Sequence, residues 1–223
     1  MKPFIDLFLR PIGNPRQLLD IAYELGFGGV GLASNEEHTK LDVIHRIDLD
    51  PTNTNELLRA LRKSRWNTEV ITVNCRSKSV ARQAGKDRRV DLISFPVTEK
   101  WEGNHLDRQQ AGLMQSSGCG YFIDLSLLMI DDRYLLRKRI EFLKRNLQNA
   151  MKREIPVVAS SGATDVWGLR DPHSIASLLG LLNVDEANAL EMISANPKAM
   201  IDKNRGKLKD SYIVSGVCVI KDE

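Results

Sequence analysis

Residues 155–170 read IPVVASSGATDVWGLR, and this stretch indicates how the rest of the chain is built. Its first five residues are an apolar, β-branched run that is typical of a buried strand. The run ends in Ser160, Ser161 and Gly162, and residues 166–169 are compatible with a following helix. Because such a turn exposes backbone N–H groups, these three residues form a candidate anion-binding turn. The alternative is a turn that caps its helix and binds nothing.

Length and composition predict a folded protein without a membrane span. The 223 residues suit one large domain or two small ones, and 42% of them are hydrophobic, which is enough for a core. No run of about 18 apolar residues is present. The amino terminus, MKPFIDLFLR, has Asp6 inside its apolar run, which is typical of a first strand and not of a signal peptide. Cys75, Cys119 and Cys218 lie far apart, so we expect buried thiols in a reducing cytosol.

Strand patterns and helix patterns alternate along the whole chain, with no hairpin signal between them. This alternation predicts a TIM-barrel-like (β/α) barrel with about seven parallel strands, with a doubly wound open sheet as the alternative. We predict a single domain over residues 1–223, in which residues 206–223 form a C-terminal tail. The predicted strands are residues 4–9, 28–33, 43–49, 69–73, 90–95, 121–125 and 155–159.

Helical periodicity and turn residues complete the predicted architecture. Residues 34–42 are too few for an ordinary crossover helix, so we expect a single helical turn or an extended crossover there. Residues 212–220 are expected to form either an added strand or a tail that docks on a partner. The buried side of the helix after Asn53 is predicted to be Leu57, Leu58, Leu61 and Trp66, and that of helix 132–151 to be Leu136, Ile140, Leu143, Leu147 and Met151. The last helices are predicted at residues 172–182 and 185–194.

The residues that usually carry catalysis are not grouped in this sequence. The four histidines, His38, His45, His105 and His173, show none of the spacings of a metal site. Nucleophile elbow, Walker loop and G-x-G-x-x-G patterns are also missing from the sequence. We therefore predict neither catalytic residues nor a metal site. Two aspartates within predicted strands, Asp6 and Asp124, can bind a cation or can be held by backbone N–H groups or an arginine.

Positive charge is clustered although the net charge is only +3. Ten Lys/Arg and two acidic residues lie between Arg59 and Arg89, and residues 133–153 carry eight more basic residues. Such clusters fit either a nucleic-acid partner or a well-solvated surface. Arg76 and Lys78 follow the fourth strand, whereas Arg88 precedes the fifth, so in a barrel they lie at opposite ends.

A set of short motifs resembles the ribonuclease P protein component 3 family, and their order and spacing make the set more specific than any one of them. The resemblance covers most of the chain and is densest over residues 91–201. The motifs are DLIS (91–94), QAG (110–112), YFIDLS (121–126), SSGA (160–163), LRDP (169–172) and ISANP (193–197).

This family is related to the polymerase and histidinol phosphatase (PHP) phosphoesterases, whose first strand carries D-L-H-x-H with both histidines as metal ligands. The matching residues here are Asp6, Leu7, Phe8, Leu9 and Arg10. Phe8 and Arg10 occupy the ligand positions, and neither side chain can bind a cation. This departure argues against the alternative function, a metal-dependent phosphoesterase of the PHP superfamily.

The resemblance implies a PHP-like barrel that is a subunit of a cytoplasmic RNA–protein enzyme, which removes the 5′ leader from precursor tRNA. It implies that the chain is not itself catalytic and binds no cofactor, while the RNA of the complex uses Mg²⁺. The implied partners are ribonuclease P RNA, component 2 by direct pairing (including as a heterotetramer), the other protein subunits and, indirectly, precursor tRNA. A scaffold that contacts only proteins is a third hypothesis. The candidate RNA contacts are Arg76, Lys78, Arg88, His105, Arg108, Arg170 and Lys198, and the alternative for each is a solvated surface charge.

Overall fold

Seven parallel strands are hydrogen-bonded in chain order in the computed structural model of this protein. Residues 3–97 and 103–209 are described, together with the backbone of residues 212–214 and 217–218. The strands are β1 (Phe4–Asp6), β2 (Phe27–Leu32), β3 (Asp42–Leu49), β4 (Val70–Asn74), β5 (Leu92–Ser94), β6 (Gly120–Asp124) and β7 (Val157–Ser160). Because neighbours in the sheet are also neighbours in sequence, the nearly closed barrel is confirmed and the doubly wound sheet is excluded.

Helices connect the strands and cover the outside of the barrel. They are α1 (Arg16–Glu24), α2 (Thr54–Ser64), α3 (Lys78–Lys86), α4 (Arg108–Ser117), α5 (Arg133–Met151), α6 (Pro172–Gly180), α7 (Glu186–Glu191) and α8 (Ala195–Leu208). Helix α2 is capped by Asn53, whose side chain accepts a hydrogen bond from the Glu56 amide at 3.0 Å. None of the helices in the described ranges is long and apolar enough to cross a membrane.

Three connections differ from or refine the prediction. The link from β2 to β3 has no helical turn, so the extended crossover is correct. Residues 166–169 form a turn and not a helix, and the next helix begins only at Pro172. The prediction assigned no helix to residues 195–208, because Asn196-Pro197 was interpreted as a helix end. Pro197 instead lies in the first turn of α8, where its missing N–H costs no intrahelical hydrogen bond. Because α8 continues through Leu208, it includes the start of the predicted tail.

Two predicted core residues lie on the surface. Trp66 is 74% exposed because α2 ends at Ser64 and continues as a 3₁₀ turn, Arg65–Asn67, which breaks the 3.6-residue period. Met151 is 41% exposed because it is the last residue of α5 and extends beyond the core. In the tail, β8 (Tyr212–Val214) pairs with β9 (Val217–Cys218) in antiparallel fashion, a local hairpin that the sequence pattern did not indicate.

Helix α8 closes the barrel at the amino-terminal ends of the strands. Its Ile201 packs into the apolar cluster that fills the barrel interior, together with Ile44, Val70 and Leu92. Its Arg205 donates two hydrogen bonds of 2.7 Å to the carboxylate of Asp42 at the start of β3. This end of the barrel is therefore covered, and only the end formed by the carboxyl termini of the strands leads inward.

The barrel is joined between β1 and β7 by a buried aspartate. The Ser161 amide donates to Asp6 Oδ1 at 3.1 Å, and the Ser160 hydroxyl donates to the same oxygen. Ser160 Oγ also accepts a hydrogen bond from the Phe8 amide at 2.8 Å. Next to these bonds, the carbonyls of residues 192–193 accept hydrogen bonds of 3.1 and 2.7 Å from the two strands. Side chains and a crossing segment thus replace a strand ladder at this seam.

The other oxygen of Asp6, Oδ2, is buried and has no hydrogen-bond partner among the described residues. Burial raises the pKa of Asp6, and the hydrogen bonds from Ser160, Ser161 and Phe8 oppose this rise without cancelling it. The seam therefore favours the protonated carboxyl group more than water does.

This shifted pKa predicts a specific pH dependence of stability. The native carboxyl group binds a proton more tightly than the unfolded one, so its contribution to stability is lost as pH rises from about 4 through the native pKa. We expect Asp6→Asn to remove this dependence, so that the variant becomes more stable relative to the wild type as pH rises. Denaturant titrations of both proteins from pH 4 to 8 measure the difference. If the difference in unfolding free energy between the two proteins is constant with pH, the pKa of Asp6 is not raised in the native state.

The docking of α8 predicts unequal effects of two substitutions on the same helix. Arg205→Ala removes a partly exposed ion pair that joins α8 to the barrel, and should lower the free energy of unfolding by about 1–2 kcal/mol. Lys198→Ala removes an exposed pair with Asp202 within the helix, and should change it by less than about 0.5 kcal/mol. Thermal and urea unfolding give both values, and equal losses would show that Arg205 has no special role.

Candidate functional site

A cavity of about 390 Å³ lies at the mouth of the barrel, where the strands end. Phe8, Phe95 and Phe122 form its apolar walls, and Arg10, Asn74, Asp48, Asp50 and Asp124 are among its polar residues. In a parallel barrel this is the end at which catalytic groups and ligands are found. The side chains at the mouth therefore decide whether the fold can hold a metal.

Arg10 follows β1 at the mouth of the barrel and is held by several acceptors. Its Nη2 donates to Asp124 Oδ2 at 2.8 Å and to Ser126 Oγ at 3.1 Å, and lies 3.3 Å from the Gly162 carbonyl oxygen. Gly162 has a φ of 67°, and a Cβ at this position would lie 2.1 Å from Asp124. A guanidinium therefore holds Asp124, as one of the two sequence-based alternatives predicted.

A second arginine, Arg46, is buried inside the barrel below the mouth and is only 1% exposed. Its Nη2 donates to the Leu9 carbonyl at 2.8 Å, and its Nη1 donates to the Asp48 carboxylate. The guanidinium carbon lies 3.9 Å from the centre of the Phe8 ring, a cation–π contact. Burial lowers the pKa of Arg46 and raises that of Asp48, and the attraction between the two opposes both changes.

A third pair joins Arg76 to Asp50, with 2.6 Å between Nε and Oδ1. Each of the three carboxylates at the mouth, Asp48, Asp50 and Asp124, is thus paired with an arginine. Within the described ranges, no group of three or more His, Cys, Asp or Glu side chains is arranged to hold a metal ion. A metal would have to compete with three fixed positive charges for the same oxygens, so the residues at the mouth do not fit a metal-dependent hydrolase.

The candidate anion-binding turn binds a carboxylate of the same chain. The Ser161 amide and Ser160 hydroxyl donate to Asp6, as described above, and the Ser161 hydroxyl accepts from the Ala163 amide at 3.1 Å. No helix begins at this turn, so its amides are not the free N–H groups of a helix start that the prediction expected. An external anion would have to displace Asp6 to use the donors of Ser160 and Ser161.

Four of the seven candidate RNA contacts lie at the mouth end of the barrel, near β4 and β5. Arg76 follows β4, Lys78 begins α3, His105 is half-buried just before α4, and Arg108 is the exposed first residue of α4. Acidic residues accompany two of them, since Arg76 pairs with Asp50 and Lys78 lies 3.5 Å from Asp107. Arg108 has no ion-pair partner among the described residues.

The other three candidates lie elsewhere. Arg170 is at the mouth end beside β7, but its Nη1 donates to the carbonyls of Trp167 and Leu169 at 2.7 and 2.6 Å and so stabilises its own loop. Arg88 precedes β5, and Lys198 lies on α8, so both are at the amino-terminal end. The seven residues therefore do not form one continuous surface.

The sequence analysis did not predict the arginine–aspartate pairs at the mouth, although the sequence indicates one of them, Arg46–Asp48. Arg46 and Asp48 are two residues apart on β3 and therefore lie on the same face of the strand. The predicted buried thiols are confirmed for Cys75 and Cys119, whereas the side chain of Cys218 lies outside the described residues.

Comparison with known proteins agrees with this geometry. The sequence profile of the family "RNase P subunit p30" matches residues 11–209. The "Ribonuclease P protein component 3" of Methanosarcina mazei is 27% identical over 93% of this chain and 90% of its own length. The protein of the same name from Methanococcoides burtonii is 24% identical over 97% of this chain and 93% of its own length.

Solved structures show the same fold. A chain from the cryo-EM structure of archaeal ribonuclease P with mature tRNA matches with a TM-score of 0.82 at 20% identity, covering 97% of this chain and 99% of that chain. A prolidase complexed with N-methylphosphonate-L-proline is more distant, with a TM-score of 0.58 at 10% identity over 98% of this chain and 78% of that chain. Because the family profile spans most of the chain, this protein belongs to the RNase P subunit p30 family.

Proposed function

We propose that this chain is a cytoplasmic, non-catalytic protein subunit of ribonuclease P, the RNA-based endonuclease that removes the 5′ leader of precursor tRNA. The observation that carries the assignment is the family match over residues 11–209. In this role the chain binds the catalytic RNA and supports its active fold, and its contact with precursor tRNA is indirect.

The non-catalytic part of the proposal rests on the mouth of the barrel. Arg10 and Arg46 place two guanidinium groups against Asp124 and Asp48 at the mouth, so these two carboxylates are no longer available to a cation. Arginine remains protonated at any physiological pH, so these groups supply neither a general base nor a ligand. We therefore assign the Mg²⁺-dependent chemistry to the RNA of the complex, with no cofactor bound by this chain.

RNA binding by this chain would depend on exposed cations rather than on the cavity. Each Lys or Arg that neutralises a phosphate releases condensed counterions, so affinity falls as salt rises. Folded RNA is recognised largely through its backbone and shape, which suits charges that are spread over a surface. Arg88 and Arg108 are the best placed of the seven candidates, because both are exposed without an acidic partner among the described residues.

We also propose that the chain contacts other protein subunits, with component 2 as its direct partner, including in a heterotetramer. This pairing is supported by the family membership alone. A scaffold that contacts only proteins is distinguished by crosslinking, because it would give crosslinks to protein subunits and none to RNA.

Reconstitution tests the proposed function. We expect cleavage of precursor tRNA by the ribonuclease P RNA and the other subunits to require less Mg²⁺ and proceed faster when this chain is added. The chain alone, with Mn²⁺ or Zn²⁺, should not hydrolyse a generic phosphate ester. Metal-dependent turnover by the isolated chain, or cleavage that is unaffected by its omission, would contradict the proposal.

Two arginines on the same rim provide a matched test of RNA contact. Arg108→Gln should reduce the slope of log affinity against log salt by about 0.7–0.9, the value expected for one lost phosphate contact. Arg76→Gln should change the slope less, because Asp50 already neutralises Arg76. Binding of ribonuclease P RNA measured from 50 to 400 mM KCl gives both slopes. Identical effects of the two substitutions would show that pairing with Asp50 does not matter.

A further inference from the structure

The ten basic residues between Arg59 and Arg89 fall into two groups with different surroundings. Three of them point toward the mouth end and are accompanied by acids: Arg76 by Asp50, and Lys78 and Arg82 by Asp107. The seven others lie on α2 and its 3₁₀ extension, or between the end of α3 and β5, at the amino-terminal end of the barrel.

An exposed tryptophan lies among the second group. Trp66 lies in the 3₁₀ turn after α2, four and three residues beyond Arg62 and Lys63. All three side chains are exposed. Arg65 points inward, where its Nη1 donates to the Arg89 carbonyl at 3.1 Å. This bond holds the Trp66 turn against the segment that leads into β5.

The three acidic residues within residues 69–91 are engaged with other cations. Asp91 accepts a bond of 2.6 Å from Arg65, and Glu69 pairs with Arg205. Asp87 accepts a bond of 2.7 Å from Arg89. Among the described residues, no ion-pair partner remains for the exposed side chains of Arg62, Lys63, Lys86 and Arg88.

Helix α8, which covers the same end of the barrel, carries four basic residues and one acidic residue. Partial burial lowers the pKa of Lys207, the charge of Lys203 and that of Arg65 add to this decrease, and the charge of Asp91 opposes it.

We propose that the exposed residues Arg62, Lys63, Trp66, Lys86 and Arg88, named here the Trp66 patch, bind an unpaired segment of RNA. A base stacks on the Trp66 indole and the four cations neutralise neighbouring phosphates. The proposal rests on the proposed function and adds the surface and the kind of RNA that it contacts. A protein partner is disfavoured, because burying four unpaired cations against an ordinary protein surface is costly.

A second exposed tryptophan provides an internal control. Trp167 is 85% exposed, but it lies at the opposite end of the barrel. Its amide donates to the adjacent carboxylate of Asp165 at 2.9 Å, and the guanidinium of the nearby Arg170 points toward backbone carbonyls. Its surroundings therefore lack the excess of free cations that characterises the Trp66 patch.

Fluorescence tests stacking directly, because the chain has only three tryptophans, Trp66, Trp101 and Trp167. The double variant Trp101→Phe/Trp167→Phe retains only the Trp66 indole, and we expect single-stranded RNA, but not duplex RNA, to quench its emission. The matched variant Trp66→Phe/Trp101→Phe retains only Trp167 and should show no quenching. Quenching of Trp167 alone, or a response of Trp66 to a partner protein and not to RNA, would overturn the proposal.

Binding of ribonuclease P RNA tests the energetic role of the patch. Trp66→Ala should weaken binding roughly tenfold to a hundredfold, the loss expected for one stacked base, while Trp167→Ala has little effect. The triple variant Arg62→Gln/Lys63→Gln/Arg88→Gln should lower the salt slope by about 2 to 3, more than Arg137→Gln/Arg145→Gln on α5. These side chains are exposed, so the melting temperature should be unchanged. Wild-type chain that fails to bind the RNA would refute the proposed function, whereas wild-type affinity in the Trp66 variants would refute only this inference.

Discussion

The ion pair between Arg10 and Asp124 limits the ability of the barrel mouth to bind a metal ion. A guanidinium is a cation with fixed charge, and it cannot be exchanged or released as a metal ion can. Once Arg10 binds Asp124, and Arg46 and Arg76 bind Asp48 and Asp50, the carboxylates at the mouth have no free charge for a metal. Among the described residues that line the cavity, each carboxylate is paired with an arginine and the walls are aromatic.

At the seam between β1 and β7, groups that could bind an external ligand are likewise bound by the chain itself. Asp6 accepts hydrogen bonds from Ser160 and Ser161, so a turn with the features of an anion site is used to join β7 to β1. Helix α8 then covers the amino-terminal end through Ile201 and Arg205. Because α8 covers one end and the carboxylates at the other end are paired with arginines of the same chain, the outer surface is the part that we expect to bind a large partner.

The fold was predictable from the sequence because its signals are local. Seven apolar strands alternate with helical patterns. Each βα unit can therefore be recognised from its own residues, without knowledge of distant contacts. Two of the errors lie at helix ends. Pro197 lies in the first turn of α8 instead of ending a helix, and Trp66 is exposed because α2 tightens to a 3₁₀ turn before it.

The site was less predictable than the fold. From the sequence, motif spacing predicted no metal site, and Phe8 and Arg10 in the first strand were the reason for this prediction. Which cations are free could not be read from the sequence, because Asp50 and Asp107 are separated by 26 and 29 residues from the Arg76 and Lys78 that they neutralise. A count of charges treats Arg76 and Arg88 alike. In the structure Arg76 is paired with Asp50, whereas Arg88 has no ion-pair partner among the described residues.

Crosslinking of the assembled ribonucleoprotein, with the crosslinked residues identified by mass spectrometry, tests the central claim most directly. The claim is that a barrel with no metal site acts through positive charge on its outer surface. It predicts RNA crosslinks at exposed residues outside the mouth, concentrated at the amino-terminal end around Trp66 and Arg88, and none at Phe8, Arg10 or Asp124. RNA crosslinks confined to the mouth of the barrel, or crosslinks to protein subunits alone, would contradict it.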